Sequence, residues 1–445
     1  MNSLEFYVFH NSAYPPVPHK SVIAKHSRTN YVSLPNTFYD KAIGQRVLED
    51  LVDVFVLSER LGYDGIAHAE QHNSPIGLGS ANMVTTAYLA ARTERILIVA
   101  DGPILNAYLT PVRLAEEVAQ ADILSHGRLI LGLPMGLGAQ YHSYGVTDPS
   151  TARARFNEGH ELLIRAMTES GPFEFQGEFF HVPYVNLWPR PVQDPHPPIW
   201  IPAAGSRETL ERCARSRYTY QAVLTPREVL KKNCKFFREA CQKEGYEADP
   251  KQIVSVFLVH VAETDAQARR EAEPHILWLF QNLFRSTFQD AFAPGHVSET
   301  SLRGMMSGGY RSRDISAMSW EELVEAGWLI AGSPDTVAEQ LEERTDELRS
   351  GRVLMWVDHG SAPTWMIHKN LTLFAEEVMP RFRGQDGKPI WARQDLRQIT
   401  TASEASAISA GAKAVPAAEV YGHGIVDVRT SHVPELNQPI DLRKK

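Results

Sequence analysis

The chain has 445 residues, 43% hydrophobic and 22% charged, with a formal net charge of −8. That balance is ordinary for a folded protein, and with no basic stripe it speaks against nucleic acid or an anionic membrane surface as a partner. The three cysteines, Cys213, Cys234 and Cys241, match neither a CxxC pair nor a disulfide framework and read as reduced thiols of a cytoplasmic protein. Met1–His10 lacks the basic and apolar regions of a signal peptide, so none is expected. The longest apolar stretch, around Leu129–Ala139, is too short for a membrane span and is broken by Pro134 and glycines.

Strands and helices alternate along the chain. Leu4–His10 reads as a strand and Arg46–Leu61 as a helix, with Val47, Leu51, Val54, Ser58 and Leu61 on one stripe. Strands then follow at Asp64–Glu70, Arg95–Asp101 and Arg128–Leu133, separated by helices at Ala81–Arg92 and Arg113–Leu124 and followed by one at Phe156–Thr168. The second half continues with strands at Pro198–Ala203, Tyr218–Leu224, Ile253–Ala262 and Arg352–Asp358. Its helices run over Thr209–Arg215, Pro226–Glu244, Asp335–Leu348 and Thr364–Met379, the third with Ser333 as N-cap and Pro334 at its first position. Eight strands in β/α order predict an α/β fold, a TIM-like (β/α)₈ barrel with insertions and a C-terminal extension. The barrel is expected to occupy 1–383, with insertions at about 11–39, 173–198 (a hairpin and many prolines) and 271–320. Gly384–Lys445, with its Ala/Ser/Thr/Gly stretch at Thr400–Ala418, reads as a tail or wrapping arm.

Barrel enzymes place reactive residues where strands end. After the fifth strand, Gly205-Ser206 opens a helix that Ser206 can cap, with Thr209 three residues on. Free N–H groups and the positive dipole end then offer a phosphate site. After the fourth strand, the glycines around Gly136 allow backbone to approach a flat ligand. His68, Glu70 and His72 alternate along the second strand's end, as metal ligands do. The facing strand ends, Pro134-Met135, Ala203-Ala204 and Gln221-Ala222, supply no further ligands, so no metal is expected. An aromatic group, Trp278, Phe280, Phe284 and Phe288, is a candidate lining or lid for an apolar cavity, or plain helix packing.

Several blocks resemble the bacterial luciferase-like family of flavin-dependent monooxygenases, in that family's order. Gly62–His72 resembles its second-strand motif, and Thr110–Gly132, containing Pro-Val-Arg-Leu-Ala-Glu-Glu, its third helix and fourth strand. Phe175–His181 with Trp188–Trp200 resembles its hairpin and fifth strand, and Gly332–Leu341 its late helix start. The resemblance implies binding of reduced FMN delivered by a separate flavin reductase. It implies O₂-dependent oxygenation of a small organic substrate through a flavin C4a-peroxide, and a homodimer. A related branch uses the deazaflavin F420 for hydride transfer, and a flavin-binding protein without turnover is a further alternative. On this basis His10, His72 and Asn106 are candidate polar contacts to flavin or peroxide, and Gln140 and Tyr141 to the ribityl or phosphate end. Gly205, Ser206 and Thr209 are the expected phosphate anchor, and Gly102–Pro103 falls at the family's cis peptide after strand three. Two positions depart from the family: Gln71 stands where the first histidine of Glu-His-His belongs, and Met135 where a basic residue contacts phosphate.

Overall fold

A computed structural model describes residues 3–17, 34–136, 140, 144–146, 148, 150–223, 225–283 and 315–383. Tyr141, Phe284, Phe288, most of the first insertion, much of the third and the whole of Gly384–Lys445 lie outside them.

Eight parallel strands close into a ring: β1 (Glu5–His10), β2 (Gly65–Ala69), β3 (Leu97–Asp101), β4 (Leu129–Gly132), β7 (Ile199–Ala203), β8 (Thr219–Ala222), β9 (Ile253–Val261) and β11 (Arg352–Trp356). The β8–β9 and β1–β11 pairings complete the circle. These strands match the predicted ones to within two residues at each end. The predicted hairpin is present as β5 (Phe173–Gln176) and β6 (His181–Val185), antiparallel. A further strand was not anticipated: β10 (Leu329–Gly332) pairs with Leu258–Val261, the distal half of β9. It is four residues long and runs straight into a helix, so it carries no periodicity of its own.

The ring is wrapped by α1 (Lys41–Leu61), α2 (Asn82–Arg92), α3 (Pro111–Leu124), α4 (Ala152–Thr168), α5 (Arg207–Arg215), α6 (Arg227–Lys243), α9 (Pro334–Leu348) and α10 (Thr364–Leu373). Two more helices, α7 (Asp265–Trp278) and α8 (Trp320–Glu325), flank the third insertion. α1 starts five residues before its predicted start because Asp40 accepts from the Ala42 and Ile43 N–H groups and caps it there.

Alternation along each strand sorts side chains into two layers. Tyr7, Phe9, Ala67, Val99, Ile130, Trp200, Val254, Leu354 and Trp356 fill the barrel lumen, whereas Phe6, Val8, Ile66, Ile98, Leu131, Tyr220 and Val353 pack against the helices. The lumen is closed at the strands' N-terminal ends by Glu5, fully buried, with Arg352 Nε at 2.8 Å and Lys251 Nζ at 2.7 Å. Burial works to raise the Glu5 carboxyl, but the two cations hold it below the usual carboxylate range. Phe280, in the aromatic insertion, is fully buried and stacks on Trp328 with centroids 6.0 Å apart, so it packs the core.

The same end of the barrel carries the most recognisable sequence block. Arg128, buried just before β4, donates to the carbonyls of Ser125, Ile96, Ala90 and Thr93 and to the Thr93 hydroxyl, at 2.7–3.1 Å. Asp122 accepts from the Val192 and Gln193 N–H groups and the Gln193 amide, tying α3 to the segment before β7. Arg383 closes the last described turn with a two-oxygen ion pair to buried Asp64 at 2.7 Å. Arg128→Ala would strand buried carbonyls on three segments at once. It is expected to destabilise the protein by about 3–5 kcal/mol, read as a lowered urea midpoint; a loss below about 1 kcal/mol would contradict the clamp.

Candidate active site

At the strands' C-terminal ends, Glu70 organises the mouth. Its buried Oε1 accepts from His72 Nε2 at 2.8 Å and from Ile104 N–H at 3.1 Å, and its Oε2 accepts from Asn82 N–H at 3.2 Å. One carboxylate thereby ties together the segment after β2, the loop after β3 and the first turn of α2. His72 Nε2 faces Glu70, and Nδ1 lies 3.0 Å from the Tyr144 hydroxyl, with the two rings edge to face at 4.9 Å. Tyr144 is half exposed and carries this relay outward; burial and Glu70 both raise its phenol above the ordinary range. Both ring nitrogens of His72 are thus engaged, so a direct contact to a ligand requires Tyr144 to give way.

Asp101 ends β3 on the lumen side, on the same face as Leu97 and Val99. Its Oδ2 accepts from Gln221 Nε2 at 2.7 Å. In ring order β4 and β7 lie between β3 and β8, so this bond spans the lumen. Asp101 Oδ1 and Gln221 Oε1 are buried without a hydrogen-bond partner. Burial raises the Asp101 carboxyl to about 7, against the lowering effect of Gln221.

The expected phosphate anchor has the predicted geometry. Ser206 caps α5, its Oγ accepting from Thr209 N–H at 3.4 Å and lying 2.8 Å from Thr209 Oγ1. Gly205 sits at φ +94°, with Asn233 and the Tyr220 hydroxyl where a Cβ would stand. Arg153, on the first turn of α4, lies 3.5 Å from Glu208 in the first turn of α5. It brings to this helix start a cation that Met135 does not supply, and it offsets the Glu208 charge there.

The other predicted residues are distributed less compactly. Asn106 is buried; its amide nitrogen donates to Ala152 O at 3.1 Å and its oxygen has no partner. Gln140 donates to Gln71 Oε1 at 3.2 Å and to Glu70 O at 3.5 Å. Gly136 sits at φ +77°, and Ile104 and Gln140 occupy the space a Cβ would take, so this glycine serves the protein's own packing. His10 points to the helix layer with Phe6 and Val8. Its ring lies against Phe55, and Nδ1 accepts from Ser12 N–H at 3.0 Å, 3.4 Å from Asp358. The structure therefore does not bring His10 together with His72. His68, likewise turned outward, is held by Thr86 and Asn82, and burial lowers its pKa to about 3.

One expectation fails outright: Gly102–Pro103 is trans. The chain turns there on Gly102 itself, at φ +123°, with Pro134 blocking any side chain at that position. Four residues of this arrangement were not singled out from sequence: the pair Asp101 and Gln221, then Tyr144 and Arg153. Only the first left a signal, a carboxylate at the lumen-facing end of a strand whose neighbours on that face are apolar. Among the described residues no group of three or more His, Cys, Asp or Glu is placed to hold a metal ion, and no helix is long and apolar enough to cross a membrane.

Comparison with known proteins places this fold. Residues 31–349 match the family model described as luciferase-like monooxygenase. An uncharacterised protein of Sinorhizobium fredii is 31% identical over 212 residues; the match covers 46% of this chain but only 59% of that protein. The oxygenase component of a flavin-dependent trigonelline monooxygenase from Acinetobacter baylyi is 26% identical over 259 residues, covering 56% of this chain and 69% of that one. The FMN complex of the oxygenating constituent of 3,6-diketocamphane monooxygenase from Pseudomonas putida has 17% identity. It covers 85% of this chain and 99% of its own, with a TM-score of 0.65. The coenzyme F420-dependent tetrahydromethanopterin reductase of Methanopyrus kandleri, also 17% identical, gives a TM-score of 0.58 over 86% of this chain and 100% of its own. At such identities the two structures speak for the fold.

A carboxyl whose folded-state pKa lies at about 7 binds its proton more tightly than in the unfolded chain, so it costs stability as pH rises from the ordinary carboxyl range to about 7. Asp101→Asn removes that cost. Between pH 5 and pH 8 the variant is expected to gain about 2–3 kcal/mol on the wild type, measured by urea unfolding at each pH. Parallel pH profiles would contradict the raised carboxyl.

Proposed function

This chain belongs to the luciferase-like monooxygenase family, and from that premise we propose that it is the oxygenase of a two-component system. It takes reduced FMN from a separate flavin reductase and uses O₂ to oxygenate a small organic substrate. The observation that carries the reading is the anchor at the mouth: a Ser206-capped helix start with Thr209 beside it and Arg153 alongside. Backbone N–H groups, two hydroxyls and a guanidinium suit a phosphate monoester. The residues present fit the rest of the cofactor as well. Asp101 Oδ1, Gln221 Oε1 and Asn106 Oδ1 are buried acceptors without a donor, and the ring N–H groups of a reduced isoalloxazine would suit them.

Reduced flavin, when bound, supplies the two electrons that allow one oxygen atom to enter the substrate and the other to leave as water. The chain's own residues bind, orient and exclude water. Ser206, Thr209 and Arg153 would hold the phosphate end, and Gln140 would lie toward the ribityl end. Glu70 holds the loops after β2 and β3 rigid around the ring. His72, oriented by Glu70, fixes the Tyr144 hydroxyl at the rim and holds a proton at Nε2. The reading includes a cytoplasmic homodimer. Ile43 and Leu48 of α1 and Val84 and Tyr88 of α2 are exposed, and offer an apolar face for a second copy. The barrel is taken to end at 383, where Arg383 is clamped onto Asp64, with 384–445 as a tail.

The rival on the same barrel is F420-dependent hydride transfer, which needs no oxygen. Purified protein supplied with a flavin reductase, NADH and FMN under ¹⁸O₂ is expected to place one labelled atom in the product from a panel of small organic compounds. Turnover with F420 under argon, with no label from ¹⁸O₂, would overturn the oxygenase reading. Ser206→Ala with Thr209→Ala is expected to weaken FMN binding by about 1–3 kcal/mol in a fluorescence titration. An unchanged Kd would remove that segment from the site.

A further inference from the structure

The lumen of this barrel is apolar through most of its depth, yet near its open end it keeps a carboxylate and an amide that do not satisfy each other. Asp101 and Gln221 share one hydrogen bond of 2.7 Å, which fixes both side chains across the lumen. Each is left with one buried oxygen lacking any partner, on residues more than nine-tenths buried. Gly132, on the lumen face of β4, makes room for the carboxyl: a Cβ there would stand 3.0 Å from Asp101 Oδ1 and 2.9 Å from Asp101 Cα. Leaving a buried acceptor unpaired is costly, and two such acceptors on one hydrogen-bonded pair are suited to a ligand that brings donors.

We propose that Asp101 and Gln221 form a floor of paired acceptors at the barrel mouth that selects the dihydro form of a flavin over its oxidised form. The inference rests on the FMN reading above. The oxidised isoalloxazine carries a single ring N–H, at N3, and presents a bare acceptor at N5. The dihydro form adds an N–H at N5. Acceptors without donors of their own repel the first and suit the second. The same chemistry separates flavin from deazaflavin, which carries carbon at that position and brings no N–H there on reduction. A carboxylate also outweighs an amide here, because hydrogen bonds to charged groups are the stronger ones.

The test is anaerobic titration of the full chain with FMN and with dithionite-reduced FMN at pH 8, where the Asp101 carboxyl, raised to about 7 by burial, is ionised. Flavin fluorescence and absorbance give the two dissociation constants without any turnover. The wild type is expected to bind reduced FMN at least about tenfold tighter than FMN. Asp101→Asn, which keeps the side-chain volume, and separately Gln221→Met are each expected to bring that ratio toward one, with Asp101→Asn having the larger effect. The bound-flavin midpoint potential should fall in step in both variants. Equal affinity of the wild type for the two forms, or a preference unchanged in both variants, overturns the floor while leaving FMN binding intact. Failure of the wild type to bind either form sinks the FMN reading itself.

Discussion

The buried carboxylate of Glu70 is the constraint on which the mouth of this barrel depends. It collects a donor from His72, one from the backbone at Ile104 and one from the backbone at Asn82. His72 and Asn82 lie on the connection that runs from β2 into α2, Ile104 follows β3, and no ladder of regular secondary structure holds these segments together. Each hydrogen bond to a charged group contributes about 1.5–3 kcal/mol, and removing the carboxylate leaves every donor buried and unpaired. The arrangement is preorganised before any ligand arrives. His72 has its tautomer set, Tyr144 has its hydroxyl directed inward, and the loop bearing Gly102 and Asn106 is pinned at Ile104.

Particular polar groups at the two ends of the barrel differ in how far they are paired. At the closed end, Glu5 has two cations, Arg128 has a carbonyl or hydroxyl for each guanidinium nitrogen, and Asp122 and Asp64 are likewise paired. At the open end, Asp101, Gln221 and Asn106 each keep a buried oxygen without a donor. Paired groups below serve stability, and the unpaired ones above stand where the proposed flavin would be recognised, the division expected of a (β/α)₈ barrel.

This division also explains what was legible in the sequence. The eight ring strands could be read because each is a short apolar run between helical periods, and Ser206 could be read as a cap because capping is local. The Thr110–Gly132 block carries the family resemblance most clearly, yet its polar anchors, Asp122 and Arg128, act at the closed end and touch nothing at the mouth. The Asp101–Gln221 pair lies 120 positions apart in sequence and meets only because the sheet closes. Tyr144 meets His72 from 72 positions away in sequence, and no local pattern points to that contact. His10 was misplaced for the opposite reason: it does stand at a strand end, but strand alternation turns it outward to Phe55. Gly102–Pro103 was misread because glycine offers a second route round the turn, a positive φ, with no need of a cis bond.

The central claim is that a reduced flavin lies across this mouth with its phosphate on the Ser206–Thr209 helix start and its ring over Asp101. A crystal structure of the anaerobic complex with dithionite-reduced FMN tests it most directly. The account predicts phosphate density within hydrogen-bond distance of Ser206 Oγ, Thr209 Oγ1 and the Arg153 guanidinium, and a ring nitrogen donating to Asp101 Oδ1. Flavin density elsewhere on the barrel, or a phosphate bound away from Ser206 with Asp101 still unpaired, would contradict it.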